Sequence, residues 1–509
     1  MQHPICLKVA KQNTKRALTR PVRLRFFRFN ALGGLLLTWV VWCQTGCAPL
    51  PPADVRFAEK TSQDFATATS FVAPPLSWPE QQWWLSYQDE QLTQLMRETL
   101  AGSPDLAIAQ ARVQRARAMA EVAGAPLLPQ ISAVGTVTSQ RLSYNYLTPE
   151  ANVTRDWNQF GQAALNISWE IDFWGKYRAG LAAATSELEA RLADQAQAAL
   201  VLTTATASAY AELARLFAQK EATERAVAIR EKTASLFAER FTHGLETRGG
   251  VREADAKGAQ AKTDLLVLNE QIALQRNRLA ALVGAGPDRG LSVQRPSVTL
   301  SQHLGLPERL AAELLGRRPD VVAARVQAQA QAARIDQKQA DFYPNINLAG
   351  FIGLQSLGLD RLGQSGSVFG SVGPAISLPI FTGGRLQGEL KGARAVYDEA
   401  VANYNRTLVQ AFQDVADAVT SLRALGGQIE QAEAGLAAAQ EAFQIASNRY
   451  RGGLSNYLDV LIAEDIMLLS LRSVTELRAR RFSLNVALVR ALGGGYQSSN
   501  TNPLISPRS

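Results

Sequence analysis

The chain has 509 residues and a formal net charge of +8, from 53 Lys and Arg against 45 Asp and Glu. Residues 1–46 contain eight basic and no acidic residues, so the rest of the chain is neutral and lacks the basic footprint of a nucleic-acid-binding protein. The three Cys and three His show no metal-ligand spacing, and no nucleophile motif occurs. We therefore expect no nucleic acid, no metal, no cofactor and no enzymatic activity.

The N-terminal region has the parts of a secretory signal peptide, which we place at residues 1–46. Its apolar run, residues 31–43, is too short to span a bilayer as a helix. The small residues directly before Cys47 resemble a bacterial lipoprotein box. In such a protein the Cys is lipidated, with palmitate among the attached chains, and becomes the new N-terminus when the signal peptide is removed. Ordinary signal cleavage nearby is the alternative. The Pro- and Ala-rich residues 47–75 are predicted to form a lipidated extended tether.

Two pairs of segments repeat along the rest of the chain. Residues 240–256 match residues 449–465 without a gap, so their numbers differ by 209. The Pro-Asp pair at 104–105 matches the pair at 319–320, where the numbers differ by 215. The two offsets, 215 and 209, differ by six residues. This difference arises between the Pro-Asp pair and the long repeated segment of each half, where a loop can change length at little cost. The chain is therefore predicted to be an internal duplication.

We predict two structural repeats, at residues 76–290 and 291–495, followed by a flexible tail at 496–509. Each repeat is expected to contain short helices, then a β-hairpin, then a pair of long helices. The predicted hairpins lie at about 129–171 and 344–381, and the predicted long helix pairs lie at about 175–284 and 384–493.

A seven-residue apolar repeat predicts the longest helix. Alternating steps of four and three residues from Tyr397 to Tyr450 meet an apolar residue every time, and no Pro interrupts residues 384–450. Such a pattern is typical of a helix packed along a left-handed supercoil. The seam positions are Tyr397, Val401, Tyr404, Leu408, Ala411, Val415, Ala418, Leu422, Leu425, Ile429, Ala432, Leu436, Ala439, Phe443, Ala446 and Tyr450.

The predicted hairpins show the two-residue period of strands. Polar and apolar residues alternate at 165–171, 345–348 and 376–380, and the loops between them are rich in Ser, Gly, Asn and Gln. Two hairpins supply four strands, which cannot close a barrel around a useful lumen. Strands with one apolar and one polar face need partner strands, and oligomerisation can supply them.

Five short motifs resemble those of the outer-membrane-factor efflux channels, a TolC-like family, in its lipoprotein branch. They are Trp169 to Lys176 (WEIDFWGK), Arg317 to Asp320 (RRPD), Phe342 to Asn345 (FYPN), Leu378 to Arg385 (LPIFTGGR), and Arg449 to Gly453 (RYRGG) with Asp459 to Leu461 (DVL). Each motif alone is weak, whereas their order, spacing and duplication together are specific. The resemblance covers nearly all of residues 75–495.

This resemblance implies a mainly α fold with membrane β-strands. Three chains would pool their four strands into a twelve-stranded outer-membrane β-barrel, and the long antiparallel coiled-coil helices would form a periplasmic α-barrel. The implied function is a passive trimeric exit duct in a tripartite efflux pump. The implied partners are two further copies, a periplasmic adaptor (membrane fusion) protein, an inner-membrane pump and outer-membrane lipid.

The family's tip motifs imply site residues at the two helical bends. Asp459 matches a gating carboxylate and Tyr450 an aromatic at the periplasmic aperture, where a ring of carboxylates would favour cations. The alternatives are that Asp459 only stabilises a helix N-terminus and that Tyr450 only ends the heptad seam. The expected tip turns and adaptor-docking positions are Gly244, Leu245, Gly452, Gly453 and Leu454, and we expect positive φ at the three glycines.

Other functions stay open at this point. The same duct could serve type I protein secretion or metal-ion efflux, because the sequence does not name the cargo or the class of pump. A lipid-anchored coiled-coil scaffold without a pore is the alternative from another class, and it leaves the alternating strands unexplained.

Overall fold

A computed structural model describes residues 50–51, 57–143, 145, 151, 154–300 and 305–498. The predicted signal peptide, Cys47 and most of the predicted tail lie outside the described residues. Within the described ranges, four strands and two very long helix pairs dominate the chain, as the sequence predicts.

Among the residues that the structure describes, the first half contains five α-helices. They are α1 (Glu90–Gly102), α2 (Pro104–Gly124), α3 (Lys176–Thr242), α4 (Arg248–Leu282) and α5 (Asp288–Leu291). The second half contains α6 (Leu310–Arg317), α7 (Pro319–Ala340), α8 (Arg385–Arg451) and α9 (Tyr457–Ala491). Helices α3 and α8 each have 67 residues, a length of about 100 Å at 1.5 Å per residue, and α4 and α9 each have 35.

The sequence explains where the long helices end and restart. After each long helix the chain makes a short turn, and a polar side chain then caps the returning helix. Thr247 accepts a hydrogen bond from the N–H of Gly250 (3.1 Å) at the start of α4, and Asn456 accepts one from Asp459 (3.0 Å) at the start of α9. Side-chain caps of this kind satisfy backbone donors that have no partner inside the helix.

The predicted heptad seam lies on the inner side of α8. None of its sixteen positions is exposed, and nine are buried, including Leu408, Val415 and Tyr450. Tyr404 and Leu408 belong to an apolar core that joins α6, α7, α8 and the end of α9. A second core joins α1, α3, α4 and the Trp83–Tyr87 turn around Tyr210. Burial of this stripe is the main stabilisation of the rod, because isolated helices gain little from propensity alone.

The four strands form one antiparallel sheet in the order β1-β2-β3-β4. Their bounds are β1 (Gln130–Gln140), β2 (Asn158–Glu170), β3 (Asn345–Leu357) and β4 (Val368–Ser377). β4 ends before the alternating pattern does, since that pattern continues to Ile380. Pro379 lacks the N–H group that a paired strand would need, which accounts for the early end.

The two hairpins have the same register. Gln130 pairs with Ser168 in the first hairpin, and Asn345 pairs with Ser377 in the second. The first members of these pairs differ by 215 and the second members by 209, which are the two offsets found in the sequence. The duplication therefore extends to individual pairs of residues in the strands, and outside the hairpin loops the offsets translate a position of one half into the other.

None of the helices within the described residues is both long enough and apolar enough to cross a membrane.

Candidate functional site: a two-faced sheet and two helical tips

The sheet has one apolar and one polar face. Because antiparallel partners lie on the same side of a sheet, the pairing register assigns every residue to a face. The apolar face consists of Ile131, Ala133, Gly135, Val137, Gly161, Ala163, Leu165, Ile167, Trp169, Ile346, Leu348, Gly350, Ile352, Leu354, Val368, Gly370, Val372, Pro374 and Ile376, with Ser139, Gln159 and Ser356 at the loop end. The opposite face carries Glu170 and most of the amide and hydroxyl groups.

The apolar face is largely uncovered. Ile131, Val137, Ile352, Val372 and Ile376 are all exposed, and the outer edges of β1 and β4 have no partner strand among the described residues. An exposed apolar surface of this size marks contact with another molecule or with lipid. Period-two alternation of this kind, outward apolar and inward polar, is typical of strands in an outer membrane.

An aromatic cluster lies where the strands meet the long helices. The rings of Trp174 and Tyr343 stack with centroids 4.6 Å apart, and the indole N–H of Trp174 donates to the carbonyl of Pro344 (2.8 Å). The Phe173 ring contacts that of Trp174, with centroids 4.8 Å apart, and both Phe173 and Phe381 are exposed. Aromatic residues with a polar handle favour the level at which a bilayer meets water.

The two helical tips share one turn geometry. The N–H groups of Gly244 and Leu245 donate back to the end of α3, and those of Gly453 and Leu454 donate back to the end of α8 in the same pattern. Gly244 has φ of 71° and Gly453 has φ of 75°, which are left-handed values that favour glycine. Leu245 and Leu454 are exposed beyond the turns.

The expectation of positive φ at Gly452 is wrong. Gly452 directly follows α8 and has φ of −76°, a right-handed value that every residue can adopt, and the left-handed residue is the next one, Gly453. A Cβ atom at Gly452 would meet its neighbours at 3.5 Å or more, which is ordinary contact.

Tyr450 lies between the two tips. Its side chain is 2% exposed and packs on Phe237, with ring centroids 5.2 Å apart. Its hydroxyl donates to the carboxylate of Glu246 on the other tip, and the Arg240 guanidinium lies 4.4 Å from the ring centroid. Burial and the Glu246 carboxylate raise the pKa of the Tyr450 hydroxyl, so the hydroxyl keeps its proton and donates.

Asp459 has different surroundings. It is exposed in the first turn of α9, where its backbone N–H donates to Asn456. The structure therefore brings Tyr450 and Glu246 together and leaves the Asp459 carboxylate facing outward. Glu246 was not identified from the sequence, because it has no counterpart at the repeated position, which is Ser455.

An ionic cluster farther along the rods was also missed. The Glu464 carboxylate on α9 is 1% exposed and accepts a hydrogen bond from Thr233 of α3 (2.6 Å). Asp465 beside it pairs with Arg230 of α3 (2.9 Å) and Lys257 of α4 (2.5 Å). Burial raises the pKa of Glu464 above its usual range. No group of residues that could hold a metal occurs in the part of the chain that the structure describes.

A sheet with one apolar and one polar face, continued by pairs of long helices, is typical of the class of outer-membrane efflux channels. The chain belongs to the outer membrane efflux protein family, whose model matches residues 95–285 and 310–494. It is thus an outer-membrane efflux component, as the sequence motifs imply.

Similar proteins cover most of the chain. The multidrug resistance outer membrane protein MdtP of Escherichia coli O6:H1 is 30% identical over 478 residues, 92% of this chain and 98% of that protein. The fusaric acid resistance protein FusA of Burkholderia cepacia is 35% identical over 69% of this chain and 67% of that protein. The crystal structure of the outer membrane protein VceC of Vibrio cholerae is 46% identical, with a TM-score of 0.79, over 82% of this chain and 100% of that one.

Proposed function

We propose that three copies of this chain form a closed duct, with a twelve-stranded barrel in the outer membrane and a helical barrel in the periplasm. One observation carries this proposal: the sheet has a continuous apolar face and two open edges. A sheet of four strands leaves backbone donors and acceptors unpaired at both edges, which a bilayer does not tolerate. Closure with further strands pairs these groups and directs the apolar face to lipid.

The cargo we propose is small organic compounds. MdtP is named for multidrug resistance and FusA for fusaric acid resistance, and both match most of this chain. The polar face of the sheet would line a water-filled lumen without a dedicated binding pocket. A periplasmic adaptor and an inner-membrane pump would supply selection and energy, so the duct itself needs no cofactor.

We also propose roles for the tips. Three exposed Asp459 carboxylates would surround the periplasmic aperture and favour cations. Tyr450 would act from within the wall, since its hydrogen bond to Glu246 ties one tip to the other in the same chain. The turns at Gly244, Gly452 and Gly453, with exposed Leu245 and Leu454, would provide the surface on which the adaptor docks.

Lipidation of Cys47 is a further part of the proposal. The carbonyl of Lys60 accepts from Tyr404, whereas the carbonyl of Pro51 accepts from Arg394, nearer the start of α8 where β4 ends. Cys47 precedes Pro51 by four residues, a reach of at most about 14 Å. A lipid at Cys47 would anchor the chain to the outer membrane through the segment that ends at Pro51. Radiolabelled palmitate should enter the wild-type chain and not the Cys47→Ala variant.

Two neighbouring substitutions in β4 test the duct. Val372 lies on the apolar face and Ser371 on the polar face, so Arg at each position meets opposite surroundings. An Arg that faces lipid at mid-membrane costs about 2–4 kcal/mol, whereas a lumen-facing Arg costs little. In cells that lack their own efflux duct but contain the matching adaptor and pump, Ser371→Arg should keep membrane insertion and resistance to a lipophilic antibiotic. Val372→Arg should lose both.

Equal behaviour of the two variants would contradict the assignment of the faces. If the wild-type chain gave no resistance to organic compounds but restored export of a polypeptide or of a metal ion, the proposed cargo would be wrong while the duct remained. A chain that stayed fully active as a monomer would reject the duct itself.

A further inference from the structure

One row of residues interrupts the polar face of the sheet. The pairing register places four residues without polar side chains next to one another across the four strands, namely Val134, Ala164, Gly353 and Phe369. We call these four residues the apolar row. Amide and hydroxyl side chains lie on either side of it, at Ser132, Asn166 and Ser371 towards the helices and at Thr136, Gln162 and Gln355 towards the loops. An otherwise polar face thus contains one step without a hydrogen-bonding side chain.

Phe351 extends the apolar row into a larger surface. It lies one row closer to the helices, diagonal to Phe369 on the same face, and the two ring centroids are 5.1 Å apart with the ring planes tilted by 48°. Phe351 is 37% exposed, and Val134 at the other end of the row is 48% exposed. Single exposed apolar residues are common on protein surfaces, whereas a contiguous apolar surface indicates contact with another molecule.

A structural role accounts for Phe369 but not for Phe351. Phe369 is paired with Gly353, where a Cβ atom would come within 2.3 Å of the carbonyl oxygen of Ala163. Only glycine fits this close approach of β2 and β3, and an aromatic side chain next to a strand glycine stabilises the strand pairing. Phe351 is paired with Asn166 on β2 and with another polar residue on β4, so no glycine requires its ring.

The duplication also distinguishes the two rings. The offset of 209 relates Phe369 to Phe160, so this ring is repeated, whereas the offset of 215 relates Phe351 to Thr136. Thr136 shows that a polar residue is compatible with this position of the strand. Phe351→Thr is therefore a substitution that the first hairpin already contains.

The surroundings of Phe351 define what this surface can bind. Within the four described strands, Glu170 is the only charged residue on the polar face, and its carboxylate accepts a hydrogen bond from Tyr177. Glu170 is four residues along β2 from Asn166, a distance of about 13 Å. Asn166, opposite Phe351, offers an amide donor and acceptor. This chemistry fits an uncharged aromatic compound that also carries hydroxyl or amide groups.

We propose that Phe351 and the apolar row form a shallow binding site for the ring of such a compound, with Asn166 bonding to its polar groups. The site rests on the proposed function in that the polar face lines the lumen through which cargo passes. The occupant is cargo, because the proposed duct gives the opposite face to lipid and the strand edges to further copies. A single aromatic contact binds weakly, which suits a duct that cargo must leave as readily as it enters.

Saturation-transfer NMR on the purified full-length protein in amphipol tests this site. The probe is chloramphenicol, which is uncharged and joins a nitrophenyl ring to hydroxyl and amide groups. Phe351→Thr should weaken its binding about fivefold, the size of one aromatic contact, and Phe351→Tyr should restore most of the affinity. Ile352→Thr is the matched control, since the next residue loses similar apolar surface on the opposite face. It should change the dissociation constant by less than about twofold.

The melting temperature of each variant separates binding from a structural role. If Phe351→Thr melts earlier than the wild type, Phe351→Leu, which keeps apolar bulk and removes the ring, replaces it in the binding experiment. Unchanged binding in the ring-free variants, or an equal loss in Ile352→Thr, overturns the proposal.

Antibiotic resistance of cells with the wild-type chain is measured separately, because binding to the purified protein does not depend on it. Resistance without Phe351-dependent binding would reject the site and keep the duct. Phe351-dependent binding without resistance would keep the site and reject the export function.

Discussion

Helices α2 and α7 begin with the same Pro-Asp pair and occupy the same place in the two halves, yet their surroundings differ. The outward face of α7 meets α3 through an ion pair, whereas the outward face of α2 carries apolar residues and makes no comparable helix contact within the described part of the chain. The tips differ similarly: Tyr450 is 2% exposed, and Phe241 at the repeated position is 45% exposed. The same helix arrangement thus forms a contact between α7 and α3 and leaves the equivalent face of α2 exposed. The side chains differ accordingly, with an ion pair in the contact and apolar residues on the exposed face.

The largest expected effect concerns Arg318, which only the second half contains. This buried side chain pairs with Asp320 (2.6 Å) and Asp414 (2.9 Å) and donates to the carbonyl of Ala491, so it joins α7 to α8 and α9. Arg318→Ala should cost about 3 kcal/mol, the lower end for a broken buried pair, because both carboxylates are partly exposed. The measurement is the loss of helical circular dichroism on heating in detergent.

The counterpart of Arg318 in the first half is Ser103, which makes no side-chain cap bond at the start of α2. Ser103→Ala should therefore change the free energy of unfolding by about 0.5 kcal/mol or less. Similar costs for both variants would show that the two halves are held in the same way.

Two substitutions would give the outward faces of α2 and α8 the same ion pair that joins α7 to α3. If the proposed copies meet through these two faces, Val396→Glu alone would place a carboxylate against Met119 of the next copy and should weaken assembly about tenfold, as should Met119→Arg alone. The double variant recreates the interior ion pair and should recover most of the loss, because contacting residues couple by about 0.5–3 kcal/mol. Analytical ultracentrifugation in detergent measures the assembly. Additive losses in the double variant would contradict this contact.

The third comparison is between Glu464, which is buried, and Asp255, which occupies the equivalent position of the first repeat and is exposed. Burial raises the pKa of Glu464, against the opposing effects of Thr233 and Arg230. A carboxyl whose pKa is raised on folding contributes stability that is complete below the unfolded pKa of about 4.3 and is lost as the pH rises through the folded pKa. Glu464→Gln removes this pH dependence. The melting temperature of the variant, relative to that of the wild type, should therefore rise as the pH increases from about 4 to neutrality.

The control for this titration is Asp255→Asn. Asp255 is exposed and pairs with Arg252 (3.1 Å), so its replacement should shift the melting temperature little at any pH. A difference between Glu464→Gln and the wild type that is constant across pH would show that Glu464 does not titrate in this window.

The smallest expected effect is at the tips. Tyr450→Phe removes the hydrogen bond to Glu246 and should cost about 1 kcal/mol, while the ring keeps its packing. Phe241→Tyr is the matched change at an exposed position and should be neutral. If Tyr450 holds the tips together, single-channel recordings should show longer openings for Tyr450→Phe only. Unchanged openings would leave Tyr450 with a packing role.

Periodicity alone predicts much of this fold. The heptad seam from Tyr397 to Tyr450 and the alternation in the strands are local signals, and the structure confirms the long helix and the four strands they predict. The pairing of β2 with β3, which joins the two halves, was not deduced. Strand order depends on contacts between residues almost 190 positions apart, such as Asn166 and Phe351, which no local pattern reports.

The candidate site was less predictable for a related reason. Glu246 and Glu464 resemble ordinary surface acids in the sequence, and their partners, Tyr450 and Thr233, are more than 200 residues away. Neither acid is repeated as Glu in the other half, so the duplication gives no signal for them. A search for charged residues whose counterpart is uncharged would have found Glu246, opposite Ser455, but not Glu464, whose counterpart is the equally acidic Asp255.

The two hairpin loops differ by the six residues that separate the offsets 215 and 209. Between the equivalent pairs Ser139–Gln159 and Leu354–Val368, the first connection spans residues 140–158 and the second 355–367, and the remaining pairs of the two hairpins keep the same register. The extra residues of the first connection therefore leave the strand pairing in the rest of the sheet unchanged. The longer connection is a natural place to insert an affinity tag or a fluorophore, which in the proposed duct would report on its outer mouth.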